Sequence, residues 1–217
     1  MLDDRGPEMG RLERLMWEVY NHVRGNSARI DEGGASVAEA TYLEELARKS
    51  DATRIAEIGF NIGFSSIAFL ESSPRTSVVS FELDRRPAVE LAKGFVDARY
   101  PGRHELIIGD SRQTVPRRER GDFDLVFVDG GHEYEIAAAD LANAARLARP
   151  GGLVVVDDLV PWHPWGVGPY RAWQEALTDG LIEPIESVVD GRVVDVIEEP
   201  GDRAWATGRF TDAAKSG

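Results

Sequence analysis

Two apolar runs in this chain end in carboxylates. Val128-Asp129-Gly130-Gly131-His132-Glu133-Tyr134 closes one, and Val155-Val156-Asp157-Asp158-Leu159 closes the other. A carboxylate at the point where a buried strand runs out is costly unless it is paired, hydrated or bound to a cation. Neighbouring strands lie about 4.8 Å apart, so if the two runs are adjacent, Asp129, Asp157 and Asp158 converge on a space one cation wide. Oxygen-only ligands suit Mg²⁺ or Ca²⁺ better than zinc. Strand alternation lets Asp157 and Asp158 face the same way only if the strand has already ended. Otherwise one is a ligand and the other a turn or cap. His132, one of four histidines, stands three residues past Asp129. It could serve as a general base near neutral pH, or be an ordinary loop histidine.

Upstream lies Glu57-Ile-Gly59-Phe-Asn61-Ile-Gly63-Phe-Ser65. Glycines between a strand and a helix let a ligand approach the backbone, and the helix start offers free N–H groups. Dinucleotide sites use Gly-x-Gly-x-x-Gly. Here the spacing is Gly-x-x-x-Gly with an acid two residues before it, which favours a cationic or neutral ligand over a phosphate. Glu82 ends the run Ser77–Glu82 about 20 residues further on, where an acid can accept hydrogen bonds from ribose hydroxyls; Asp84 is its rival. Gly109-Asp110-Ser111 follows a third apolar run and fits either an adenine edge or an Asx turn. The aromatic, Pro- and Gly-rich stretch 161–170 comes directly after the paired aspartates, as an acceptor-shaping lid or a packed connection.

Positioning these residues requires a particular scaffold. Periodicity predicts helices over 8–24 and 37–49, the second with a Ser36/Glu39 capping box. From residue 51, strands (54–58, 77–82, 104–108, 123–128, 153–156) alternate with helices (65–71, 87–100, 134–149), and 111–120 reads as a polar loop or short helix. Near-continuous apolar strands in that alternation imply a parallel sheet covered on both faces. A helix over 169–178, strands 185–189 and 193–197 around Asp190-Gly191, and a strand over 204–210 predict an antiparallel C-terminal edge. Residues 1–50 read as an N-terminal helical cap on a domain spanning 51–217, within one compact unit.

Composition narrows the partners. The 217 residues are 42% hydrophobic, carry a formal charge of −13 and contain no cysteine. The charge argues against a nucleic acid and against an anionic membrane as partner. The absence of cysteine excludes disulfides, thiolate catalysis and iron–sulfur clusters. No secretion signal or membrane span is legible, so a cytoplasmic location is the expectation. Residues 121–160 hold eight acidic groups against two basic ones, and the proposed cation ligands lie among them.

Glu57-x-Gly59-x-x-x-Gly63, Glu82, Gly109-Asp110 and the Pro150-Gly151-Gly152 turn together resemble the class I S-adenosylmethionine-dependent methyltransferases over roughly residues 37–160. Asp129, His132, Asp157 and Asp158 are similar to the set in Mg²⁺-dependent O-methyltransferases of the catechol and macrolide-sugar types. Asp157-Asp158 matches the sugar enzymes. His132 stands where catechol enzymes have lysine. The resemblance implies a Rossmann-like seven-stranded, mostly parallel α/β sheet with helices on both faces and a reversed last strand. It implies that Glu57, Gly59, Asn61, Gly63, Ser65, Glu82, Asp110, Ser111 and Asp129 surround S-adenosylmethionine, and that Asp129, Asp157 and Asp158 hold Mg²⁺. The expected reaction is methyl transfer to a hydroxyl of a small metabolite (sugar, diol or phenol), with His132 and Asp129 as catalytic groups. The rivals are a metal-independent methyltransferase using His132 on an O- or N-nucleophile, a nicotinamide-dependent oxidoreductase, and a non-enzymatic cofactor-binding module. The N-terminal helix could also serve as a homodimer arm.

Overall fold

The computed structural model describes residues 9–26, 28–30 and 34–211. Helices α1 (Arg11–Gly25) and α2 (Val37–Lys49) precede strand β1 (Arg54–Ile58). Then follow α3 (Phe64–Ser72), β2 (Ser77–Glu82), α4 (Pro87–Arg99), β3 (His104–Ile108) and the short α5 (Ser111–Thr114). The second half runs β4 (Phe123–Val128), α6 (Tyr134–Leu147), β5 (Ala148–Val156), α7 (Val167–Thr178), β6 (Ile182–Val189), β7 (Arg192–Val194) and β8 (Ala204–Phe210).

One sheet of order β3-β2-β1-β4-β5-β8-β6-β7 contains every strand. The first five strands are parallel, and β5–β8, β8–β6 and β6–β7 pair antiparallel. The chain winds outward from β1 to β3, crosses back, and continues from β4 on the other side. That reversal opens a crevice at the C-terminal ends of β1 and β4, where doubly wound sheets bind ligands. Strand alternation splits the core. Ile55, Phe127 and Val155 face α1 to α4, whereas Ala56, Val126, Val128, Val154 and Val156 face α6 and α7. Leu12, Leu15, Met16, Val19 and Val23 of α1 join the first of these clusters at helical spacing.

The expected capping box forms, with Glu39 N–H donating to Ser36 Oγ at 3.1 Å and Ser36 N–H to Glu39 at 3.3 Å. Several details depart from expectation: β5 begins at Ala148 rather than 153 and β6 at Ile182 rather than 185. The sheet of the described residues has eight strands rather than the seven that the resemblance implies, because the hairpin expected around Asp190-Gly191 forms, with positive φ at both residues (48° and 76°), and adds β7. Strand β7 stops at Val194, short of 197. Helix α6 ends at Leu147 rather than 149, because Ala148 already pairs with Phe123; sheet pairing overrides the helical propensity of the Ala-Arg run. Residues 1–8, the last of which opens the first expected helix, lie outside the described residues. Among the described residues, no helix is long and apolar enough to cross a membrane.

Candidate active site

The glycine loop begins where β1 ends. Gly59 has φ +98°, and a Cβ there would lie 1.9 Å from the Asp129 carbonyl oxygen. Only glycine permits this approach of the β1 turn to the β4 turn. Asn61 and Gly63 also have positive φ (48° and 77°), which coils the loop onto the start of α3. Glu82 secures it from β2: its carboxylate accepts from Asn61 N–H at 2.8 Å and Phe60 N–H at 3.2 Å. Of the two rival acids, Glu82 is thus the one that organises the loop, although Asp84 also borders the cleft.

Glu57 lies beneath this loop, fully buried. It accepts hydrogen bonds from Ser65 and Ser66, and from Ser80 at 2.5 Å. Burial pushes its carboxyl up to about 7 against the pull of the three hydroxyls. Ser80 also meets His104 Nε2 at 3.0 Å, and burial pulls that imidazole down to about 4. Glu57, Gly63 and Ser65 therefore support the loop from behind. The cleft itself is bordered by Gly59, Asn61, Glu82, Asp110, Ser111, Asp129, His132, Asp157 and Asp158.

The three aspartates meet as the adjacency of β4 and β5 requires. Val128 pairs with Val156, and Asp157 N–H donates to the Val128 carbonyl at 3.0 Å. The strand has ended there, and Asp158 turns left-handed with φ +59°. This turn breaks the alternation that would have separated the two side chains. One carboxylate oxygen from each of Asp129, Asp157 and Asp158 lies within 4.8 Å of the others. Burial first, then the neighbouring charges, push Asp129 and Asp157 well above the usual carboxylate range. His132 Nε2 lies 2.7 Å from Asp158 Oδ2. A set of crowded carboxylates that resist simultaneous ionisation is the donor set a small divalent cation stabilises.

Sequence reasoning missed two neighbours of this cluster, Glu39 and Arg203, and a further buried acid beside Ser111, Asp140. Glu39 was legible only as a cap, yet its side chain is fully buried against Asp157. Burial and the Asp129 charge push it up to about 7. Arg203, just before β8, reaches Glu39 at 3.4 Å and the Gly34 carbonyl at 3.0 Å. Asp140 on α6 accepts a hydrogen bond from the Ser111 hydroxyl at 2.6 Å. Its signal was an acid within the apolar Ala137–Ala145 face of a helix.

The cleft encloses about 720 Å³, within the range of small-molecule sites. It extends from Asp110 and Ser111 after β3 to Trp165 beyond the aspartates. Asp110 caps α5 through Arg112 N–H at 2.9 Å and pairs with the Arg112 guanidinium at 2.6 Å, which holds its carboxyl low. The 161–170 stretch is a packed connection that also borders the cleft. A Cβ on Gly168 would meet the His132 carbonyl at 2.1 Å, and Trp162 Nε1 donates to the Gly201 carbonyl at 2.7 Å. Trp165 stacks on His163 at 4.4 Å and stays 44% exposed at the cleft.

The fold and this loop–carboxylate arrangement define a class, and comparison with known proteins agrees. Residues 56–159 match a family model described as a methyltransferase domain. The chain is 32% identical over 136 residues to a catechol O-methyltransferase of Mycobacterium tuberculosis, an alignment covering 62% of this chain and 61% of that one. It thus spans about three fifths of that relative's length. It is 31% identical over 200 residues to a Mycobacterium ulcerans protein classed as an O-methyltransferase, covering 88% of this chain and 84% of the relative. Among solved structures, the O-methyltransferase TomG from Streptomyces achromogenes in complex with S-adenosylmethionine superposes with a TM-score of 0.70. Its identity is 25%, with 97% of this chain and 92% of that one covered. The chain belongs to the class I S-adenosylmethionine-dependent O-methyltransferases, a different class from the nicotinamide oxidoreductases.

Proposed function

We propose that this protein transfers the sulfonium methyl of S-adenosylmethionine to a hydroxyl of a small diol, sugar or phenol, assisted by one Mg²⁺. The observation that carries this reading is the convergence of Asp129, Asp157 and Asp158 beside His132 at the far end of the cofactor cleft. These three carboxylates would hold the cation. When bound, Mg²⁺ supplies Lewis acidity that lowers the pKa of an acceptor hydroxyl. The chain's own contribution is orientation and proton removal. Glu82 is available to the ribose hydroxyls, and the Gly59 backbone admits the cofactor against β1. Asp158 fixes the His132 ring, and with Nε2–H donated to Asp158 the basic lone pair is on Nδ1. Methyl transfer forms one O–C bond, breaks one S–C bond, releases the thioether S-adenosylhomocysteine, and leaves the hydroxyl proton on His132. Trp165 borders the acceptor side of the cleft.

One observation favours a second reading. The His132–Asp158 contact at 2.7 Å already orients a base without any cation, as a metal-independent enzyme acting on an O- or N-nucleophile would need. Calorimetric titration of the S-adenosylhomocysteine-loaded protein with Mg²⁺ separates the two. One bound ion per chain, lost in Asp157→Ala, is expected. No heat of binding at millimolar Mg²⁺ would leave only the metal-independent reading.

A further inference from the structure

Asp140 is a buried carboxylate that the proposed reaction does not use. It lies on α6 with no exposure to solvent, among Ala137, Leu141 and Ala144. Its Oδ1 accepts the Ser111 hydroxyl proton at 2.6 Å. Its Oδ2 finds no donor among the described residues. That oxygen presses on the β4 turn so closely that a Cβ on Gly130 would come within 2.6 Å of it. A buried carboxylate with one oxygen unsatisfied costs free energy that an apolar residue would not. In the fold only the Ser111 hydrogen bond offsets that cost.

The position of Ser111 in the cleft supplies a role for the acid. Strand β3 lies beside β2, with Ile108 opposite Glu82, and Gly109 N–H donates to the Glu82 carbonyl at 2.8 Å. With ribose on Glu82, the base of a nucleoside extends towards the turn after β3, where Asp110 and Ser111 border the cleft. Asp110 is paired with Arg112, and Ser111 offers the hydroxyl at this turn. A serine hydroxyl has one proton and two lone pairs. With the proton committed to Asp140, the oxygen can only accept.

We propose that Asp140 is a positioning residue for recognition of the cofactor's base: by holding the Ser111 proton it presents the Ser111 oxygen to the cleft as an acceptor. Such an acceptor pairs with the exocyclic amine of adenine and repels the 6-oxo group of hypoxanthine. Burial raises the Asp140 carboxyl only to about 6, so at pH 8 the group is ionised and cannot return the proton. This inference rests on the methyltransferase reading above.

The test compares dissociation constants of S-adenosylhomocysteine and S-inosylhomocysteine at pH 8. The wild-type protein is expected to prefer the adenosyl compound by about tenfold or more, the scale of one hydrogen bond exchanged for a repulsion. Ser111→Ala and Asp140→Ala are expected to bring that preference below about threefold. Asp140→Leu fills the buried site without an acceptor, a replacement that cores tolerate, and is expected to do the same if the alanine variant does not fold. Asp140→Asn keeps an accepting oxygen for Ser111 and is expected to restore the preference. A purely structural Asp140 would weaken both ligands alike. Wild-type preference in Asp140→Leu or Asp140→Ala therefore overturns the proposal, while the methyltransferase reading stands. A wild-type protein that binds neither compound overturns both.

Discussion

Replacing Asp158 by alanine is expected to lower kcat/KM for methyl transfer roughly a thousandfold, about 4 kcal/mol of transition-state stabilisation. The affinity for S-adenosylhomocysteine is expected to change by less than about threefold. Two losses combine in this variant. One of the three carboxylates that converge within 4.8 Å disappears, and His132 loses the partner 2.7 Å from its Nε2. Neither loss touches the glycine loop or Glu82, so cofactor binding and chemistry separate. Steady-state kinetics with a saturating acceptor, alongside a binding isotherm, measures both. Unchanged kcat/KM would remove Asp158 from both of its proposed roles.

The ligand-free protein is expected to lose stability as pH rises through 7. The cause is the set of buried carboxylates. Glu57 and Glu39 are pushed from the ordinary 4.5 up to about 7 by burial, and Asp129 and Asp157 also stand well above their ordinary range. Each holds a proton in the folded chain that the unfolded chain has already released. Folding then binds protons, and stability present below the unfolded pKa is lost as pH climbs through the folded one. His104 acts oppositely, since its folded value of about 4 lies below 6.5. Its stabilisation grows between pH 4 and 6.5 and is complete above that. From pH 6.5 to 8 the carboxylates dominate, and a loss of a few kcal/mol is expected. For a chain this size that is a drop of about 5 °C or more in Tm. Thermal melts of chelator-treated protein measure it, and Glu57→Gln is expected to flatten part of the slope. A Tm that is level or rising over this interval would contradict the account of these buried acids.

Much of this arrangement was legible in the sequence because strands buried on both faces read as unbroken apolar runs. Strands 54–58, 77–82, 104–108 and 123–128 have the expected ends. The positions at or just past their C-termini, Gly59, Glu82, Asp110 and Asp129, could be named for the same reason: a glycine or acid where such a run ends is conspicuous. Asp157 and Asp158 were legible as a pair. That both turn to one side depends on the left-handed backbone of Asp158, a conformation that sequence pattern does not announce.

What stayed hidden was brought in from distant elements. Glu39 served a helix cap in the sequence, and only the packing of α2 over the sheet buries it against Asp157. Arg203 reaches the same place from before β8, across 164 residues from Glu39. Glu57 was expected around the cofactor from its motif, yet Ser65, Ser66 and Ser80 hold it behind the loop. Such side-chain direction is set by tertiary contacts rather than by local spacing.

The most direct test of the central claim is methyl transfer by metal-stripped protein, assayed with S-adenosylmethionine and a panel of catechols and vicinal diols, in chelator and again with added Mg²⁺. The account predicts transfer to at least one acceptor, lost in chelator and restored by Mg²⁺. Transfer at the full rate in chelator would contradict it.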